Sequence, residues 1–93
     1  MVKIGGYEYS LSPRKDFKLR TKVNGKNIDF GRAGYQHFND KTGLLDKSLN
    51  HGDLKRRANY LTRSAGIKDG KGRLTKDNPE FANYHARRLL WNA

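Results

Sequence analysis

The chain has no cysteine. Disulfides and thiolate metal sites are therefore excluded, and cysteine usage says nothing about redox compartment. Acids are scarce: nine Asp and Glu stand against twenty Lys and Arg among 93 residues. Catalysis through paired carboxylates, or a nuclease metal gathered by several acids, has few groups to draw on. No apolar run is long enough to span a bilayer. The N-terminus lacks the apolar stretch of a signal peptide, so secretion by that route is not expected. Apolar residues make up 34% of the chain and mean hydropathy is −1.00. One Trp, five Tyr and four Phe still suffice to anchor a small core, which argues against full disorder. This length fits one domain, residues 1–93, and buries only about 60–65% of its unfolded surface.

What is abundant is positive charge. The formal net charge is +11 and the isoelectric point is about 10.2. Such an excess repels itself in the folded state and favours polyanionic partners. Nucleic acid is the commonest of these, through phosphate neutralisation and counterion release. An acidic protein surface, such as the inside of a virus shell, is another. Anionic lipid is a weaker candidate, because no basic amphipathic helix with a strong apolar face stands out, and no membrane partner is expected.

The clearest local pattern is Phe17-Lys18-Leu19-Arg20-Thr21-Lys22-Val23. Successive side chains of a strand point to opposite faces. Phe17, Leu19, Thr21 and Val23 then form an apolar face, and Lys18, Arg20 and Lys22 a cationic one. Asn24-Gly25 is a strong two-residue hairpin signal. It predicts the register Val23 opposite Lys26, Thr21 opposite Ile28, Arg20 opposite Asp29 and Leu19 opposite Phe30. Ile28 and Phe30 join the apolar face. The cationic row is a platform for a polyanion, and it is equally the pattern of an ordinary solvated sheet face.

Before the hairpin, Val2 and Ile4 share one parity, and Tyr7, Tyr9 and Leu11 the other. The switch at Gly5-Gly6 predicts a turn or bulge. Ser12-Pro13-Arg14-Lys15-Asp16 reads as a turn. After the hairpin, Tyr35 and Phe38 are three apart, and a single helical turn there would plug the open side of the sheet. A helix is predicted from about Asp53 to Ser64, with Leu54, Ala58 and Leu61 as its buried stripe and Tyr60 beside it. Gly66 is its stop signal. A last helix is marked by Asn78 as N-cap, Pro79 at the first position and Glu80 in the first turn. The predicted fold class is α+β: a small antiparallel sheet followed by two helices packed on its apolar face.

Three segments taken in order carry a resemblance. The first is Val23-Asn24-Gly25-Lys26, Phe30-Gly31 and Gly34-Tyr35. The second is His51-Gly52-Asp53, Arg56-Arg57, Tyr60-Leu61 and Arg63. The third is Gly66-Ile67, Gly72-Arg73-Leu74-Thr75, Ala82-Asn83-Tyr84, Ala86-Arg87-Arg88 and Leu90-Trp91. The order resembles a family of small uncharacterised proteins encoded by large DNA viruses and some bacteriophages, from about Lys18 onward. The resemblance brings no activity and no residue role. It implies a viral or phage protein, either a virion component or a genome-handling one, located in the infected cell or the virion.

His37, His51 and His85 lack the i, i+4 spacing of a helical zinc motif, so no metal or other cofactor is expected. His51-Gly52-Asp53 reads as a helix entry, and His85 as a half-buried neighbour of Tyr84 and Leu89. Asp69-Gly70-Lys71-Gly72-Arg73 is a flexible basic loop: Lys71 and Arg73 occupy positions where a calcium loop needs oxygen ligands. The expectation is a non-enzymatic protein that binds nucleic acid, duplex or single strand, electrostatically and with little sequence preference. The expected phosphate contacts are Lys18, Arg20, Lys22, Lys55, Arg56, Arg57, Arg87 and Arg88. The alternative is a minor capsid protein that cements acidic capsid subunits. Most tyrosines are expected in the core, which favours backbone-phosphate contact over base stacking.

Overall fold

Asn24 and Gly25 take φ of 51° and 77°. A type I′ turn requires left-handed backbone at both of its central residues, and asparagine and glycine reach it at least cost. In the computed structural model, which describes every residue from Met1 to Ala93, this turn joins β3 (Phe17–Val23) to β4 (Lys26–Arg32). The pairing is the expected one: Val23 with Lys26, Thr21 with Ile28, Arg20 with Asp29 and Leu19 with Phe30. Gly5 and Gly6 form the turn between β1 (Val2–Ile4) and β2 (Tyr7–Leu11), both with positive φ. The four strands make one antiparallel meander in the order β1-β2-β3-β4.

Tyr9, Leu19 and Phe30 supply the sheet's share of the core, and Ala86, Leu89 and Leu90 supply the share of α2 (Ala82–Leu90). The sheet is thus followed by two helices. Only α2 packs against it, through β4 and through Tyr7 and Tyr9 of β2; α1 (Leu54–Ala65) packs on α2. One polar link crosses the core. The Tyr9 hydroxyl meets His85 Nδ1 at 2.8 Å, and His85 Nε2 meets the Pro79 carbonyl at 2.7 Å. A carbonyl only accepts, so Nε2 carries the proton and Nδ1 accepts from Tyr9. His85 is completely buried rather than half-buried.

Three local expectations need correction. First, α2 starts at Ala82, not after Asn78. Asn78 to Phe81 forms a turn, with the Asn78 side chain accepting from Glu80 N and its carbonyl from Phe81 N. The His85 ring takes the Pro79 carbonyl, which a continuous helix would have bonded to a backbone N–H four residues on. Second, no helical turn forms over Tyr35–Phe38. His37 lies in a short parallel bridge with Asn50, and Tyr35 is 64% exposed. Third, the inward stripe of α1 is Arg57, Tyr60, Leu61 and Ser64. Leu54 is 70% exposed and Ala58 is exposed too. The phase is set by groups that apolar patterning ignores: the Arg57 guanidinium donates to the Trp91 and Asn92 carbonyls, and Arg87 donates to Leu61 O and Ser64 Oγ.

No helix is long and apolar enough to cross a membrane.

Candidate nucleic-acid interface

The cationic row on β3 does not survive as a row. Lys18 is only 8% exposed. Its parity belongs to the outer face, but the segment following β4 folds over it. There Nζ donates to the Tyr35 carbonyl and sits 3.1 Å from His37 Nδ1. Gly31 makes this possible. It sits opposite Lys18 at a φ of 75°, and a Cβ there would lie 2.8 Å from Leu90 Cδ1 and 3.4 Å from Lys18 Cβ. Arg20 is spent as well, in a two-pronged pair with Asp29 at 2.8 and 3.0 Å. Asp29 also accepts from Ser12, and the Arg20 hydrogen bond chiefly holds its carboxyl below the usual range. Lys22 alone of the three stands free and exposed.

The other expected contacts divide in the same manner. Lys55, Arg56 and Arg88 are exposed. Arg56 reaches only the Gln36 side chain, and Arg88 lies over the Tyr84 ring at 4.4 Å. Arg57 and Arg87 are committed to backbone carbonyls and tie α1 to α2 and to the C-terminus. They are structural cations, and phosphate would have to compete with those bonds.

The structure brings together a different set. A cleft of about 390 Å³ opens between β4, the Tyr35–His37 segment, α1 and the end of α2. Lys18, Arg32, Arg56 and Arg63 line it, with Tyr35, Tyr60 and Trp91 as aromatic walls and no carboxylate among the lining residues. Tyr60 and Trp91 stack face to face at 4.1 Å, nearly parallel at 9°, and so form one rigid wall. Arg32, Arg56 and Arg63 are exposed, and none of them forms an ion pair. Lys18 is the most buried of the four cations.

Burial pushes the pKa of Lys18 down, against a raising contribution from the Asp40 charge. His37 is depressed too, first by burial and then by the Lys18 cation, with the nearby Asn50 side chain and Asp40 pulling the other way. A lysine ammonium donates, so His37 Nδ1 accepts and the proton sits on Nε2. That buried Nε2 makes no well-aligned hydrogen bond, although the Asn50 side chain lies close enough to the ring to raise its pKa. Nearby, His51 Nδ1 accepts from Asp53 N at 2.9 Å, and Asp53 caps α1 by accepting from Lys55 N and Arg56 N. His51 therefore serves the helix entry, as expected from sequence. The histidines and acids do not gather into any group of three that could hold a metal.

Arg32, Arg63 and His37 were not among the residues singled out from sequence as contacts. One signal was available. A glycine inside a strand marks close approach of another element, and Gly31 lies opposite Lys18 in the hairpin register. The joining of Arg32 to Arg56 and Arg63 depends on where α1 docks, which no local pattern encodes.

Comparison with protein families, with curated proteins and with solved structures finds no match to the chain.

Proposed function

We propose that this protein binds nucleic acid through its phosphate backbone, with little sequence preference. The observation that carries the reading is the carboxylate-free cleft, where Arg32, Arg56 and Arg63 stand unpaired beside Lys18. Five of the nine acids are engaged elsewhere. Asp40, Asp46, Asp53 and Asp69 accept from backbone N–H groups and Asp29 holds Arg20. None of these acids reaches Arg32, Arg56 or Arg63, and unpaired cations along one groove attract a polyanion. Lys22 and Lys55 lie outside the cleft and add general attraction. In the viral setting that the sequence resemblance implies, this reading makes the protein a genome-handling one. A capsid-cementing role gains less support, since Trp91 is half-buried against Tyr60 instead of standing free as an anchor.

Fluorescence anisotropy with unrelated duplex and single-stranded sequences across a salt series tests the proposal. Affinities should be alike between sequences and fall steeply with salt. Arg32→Gln, Arg56→Gln and Arg63→Gln together should flatten the log–log slope by about two to three units. Absence of binding at low salt, together with association with empty shells, would overturn the reading in favour of cementing.

A further inference from the structure

We infer that the cleft is a receptor for a nucleoside phosphate monoester, and specifically for the phosphorylated end of a nucleic-acid strand. This deepens the backbone-binding reading and rests on it for the strand as source. An internal phosphodiester carries one charge and is flanked by a sugar on either side. A terminal monoester carries about −1.5 to −2 near neutrality and has three free oxygens. The cleft has four cations and no acid for that charge. Its cations differ in depth. Arg32, Arg56 and Arg63 stand at the surface, whereas Lys18 is nine-tenths buried. A surface site for internal phosphates has no use for a buried ammonium. On this reading an end reaches past the surface arginines to Lys18, whereas a mid-strand phosphate, held between two sugars, stays with Arg32, Arg56 and Arg63.

The interior also has donor capacity to spare. Lys18 Nζ carries three N–H donors and makes two contacts, to the Tyr35 carbonyl and to His37 Nδ1. A phosphate monoester supplies acceptor oxygens for the third. Size agrees too, since a cleft of about 390 Å³ is at the lower end of the small-ligand range, roughly 300–1,000 Å³. The Tyr35 ring, exposed at the cleft wall, offers a face for the terminal base.

The test compares one short single strand bearing a 5′-phosphate, a 3′-phosphate or hydroxyls at both ends, at fixed salt. One phosphorylated end should bind about tenfold or more tightly than the hydroxyl form, a difference of about 1.4 kcal/mol. Arg32→Gln with Arg63→Gln should remove that ratio. Lys22→Gln with Lys55→Gln should weaken every strand and keep it. Lys18→Met should abolish end preference. Should that variant fail to fold, the Arg32/Arg63 pair decides, because both side chains are exposed. A nucleoside monophosphate, its nucleoside and inorganic phosphate serve as competitors. Binding of the monophosphate without binding of any strand would support the cleft chemistry, with free nucleotide as its source, and would defeat backbone binding. Equal affinity for all three strands, with no competition by the monophosphate, would overturn this inference and leave backbone binding standing.

Discussion

Residues 2–32 close their backbone hydrogen bonds strand against strand, whereas residues 33–81 repeatedly close theirs with side chains. In the first region the ladder is continuous from β1 to β4. In the second, Asp40 accepts from Thr42 N and Leu45 N, Asn50 from Asp40 N, Asp53 from the first turn of α1, and Asp69 from Lys71 N and Arg73 N. The difference explains how a chain with so few acids folds so many polar loops. Asp40, Asp46, Asp53 and Asp69 are structural acceptors for backbone donors, an assignment that Asp suits through its short polar side chain. With those acids engaged in the loops, Arg32, Arg56 and Arg63 have no carboxylate partner, which links the loop architecture to the basic cleft.

The largest expected effect tests whether the two regions differ in energetic weight. Phe30 is buried against Tyr9 edge-to-face and beside His85. Phe30→Ala should cost about 3–5 kcal/mol, the usual range for a buried phenylalanine. In the loop region, Asp40→Ala leaves the Thr42 and Leu45 N–H groups without their acceptor, which should cost about 1–3 kcal/mol. Urea unfolding followed by circular dichroism measures both. Were Asp40→Ala the costlier, the sheet would not be the energetic centre of the fold.

The regions also differ in how legible they are. The hairpin could be read residue by residue, because a period of two and an Asn-Gly turn leave a single register. Its polar face was harder. Parity assigns Lys18 outward, and only the passage of residues 33–37 over it, admitted by Gly31, makes it buried. In α1 the existence and the Asp53 cap were plain from sequence, yet the phase was misplaced. Arg57 counts as polar in any hydropathy pattern, while its guanidinium is drawn inward by the carbonyls of Trp91 and Asn92. The cleft was the least legible feature. Its cations come from β3, β4 and α1, and their convergence is a tertiary event.

A graded effect with pH cuts across both regions. Burial is the first cause of a lowered pKa at His37, His51 and His85. The unfolded chain therefore takes up protons first as pH falls below about 6.5, the ordinary histidine value. Stability should be full above that point and decline as pH drops towards the folded-state values. The paired and capping carboxylates Asp29, Asp46, Asp53 and Asp69 are also held low, so their loss follows in the more acidic range. Urea midpoints measured from pH 7.5 to 4 should fall monotonically. A midpoint that stays level between pH 7 and 5 would mean that the histidines are not desolvated in the folded protein.

The smallest expected effect concerns Leu54, and its smallness is the point. The apolar spacing Leu54, Ala58, Leu61 suggested a buried stripe, and a fold built on that stripe would lose a core residue on Leu54→Gln. In the structure Leu54 is the first residue of α1, mostly exposed, one position after the Asp53 cap. Glutamine has nearly the helix propensity of leucine, and surface changes of this kind usually stay within about 0.5 kcal/mol. Leu54→Gln should therefore leave the urea midpoint almost unmoved, while Leu61→Ala, on the half-buried side of the helix, should lower it. The reverse order would rotate α1 by roughly 75°, the angle at about 100° per residue between the Leu54–Ala58–Leu61 stripe and the Arg57–Tyr60–Leu61–Ser64 one. It would also withdraw Arg56 and Arg63 from the cleft, since both are placed there by the phase that Arg57 and Ser64 now fix.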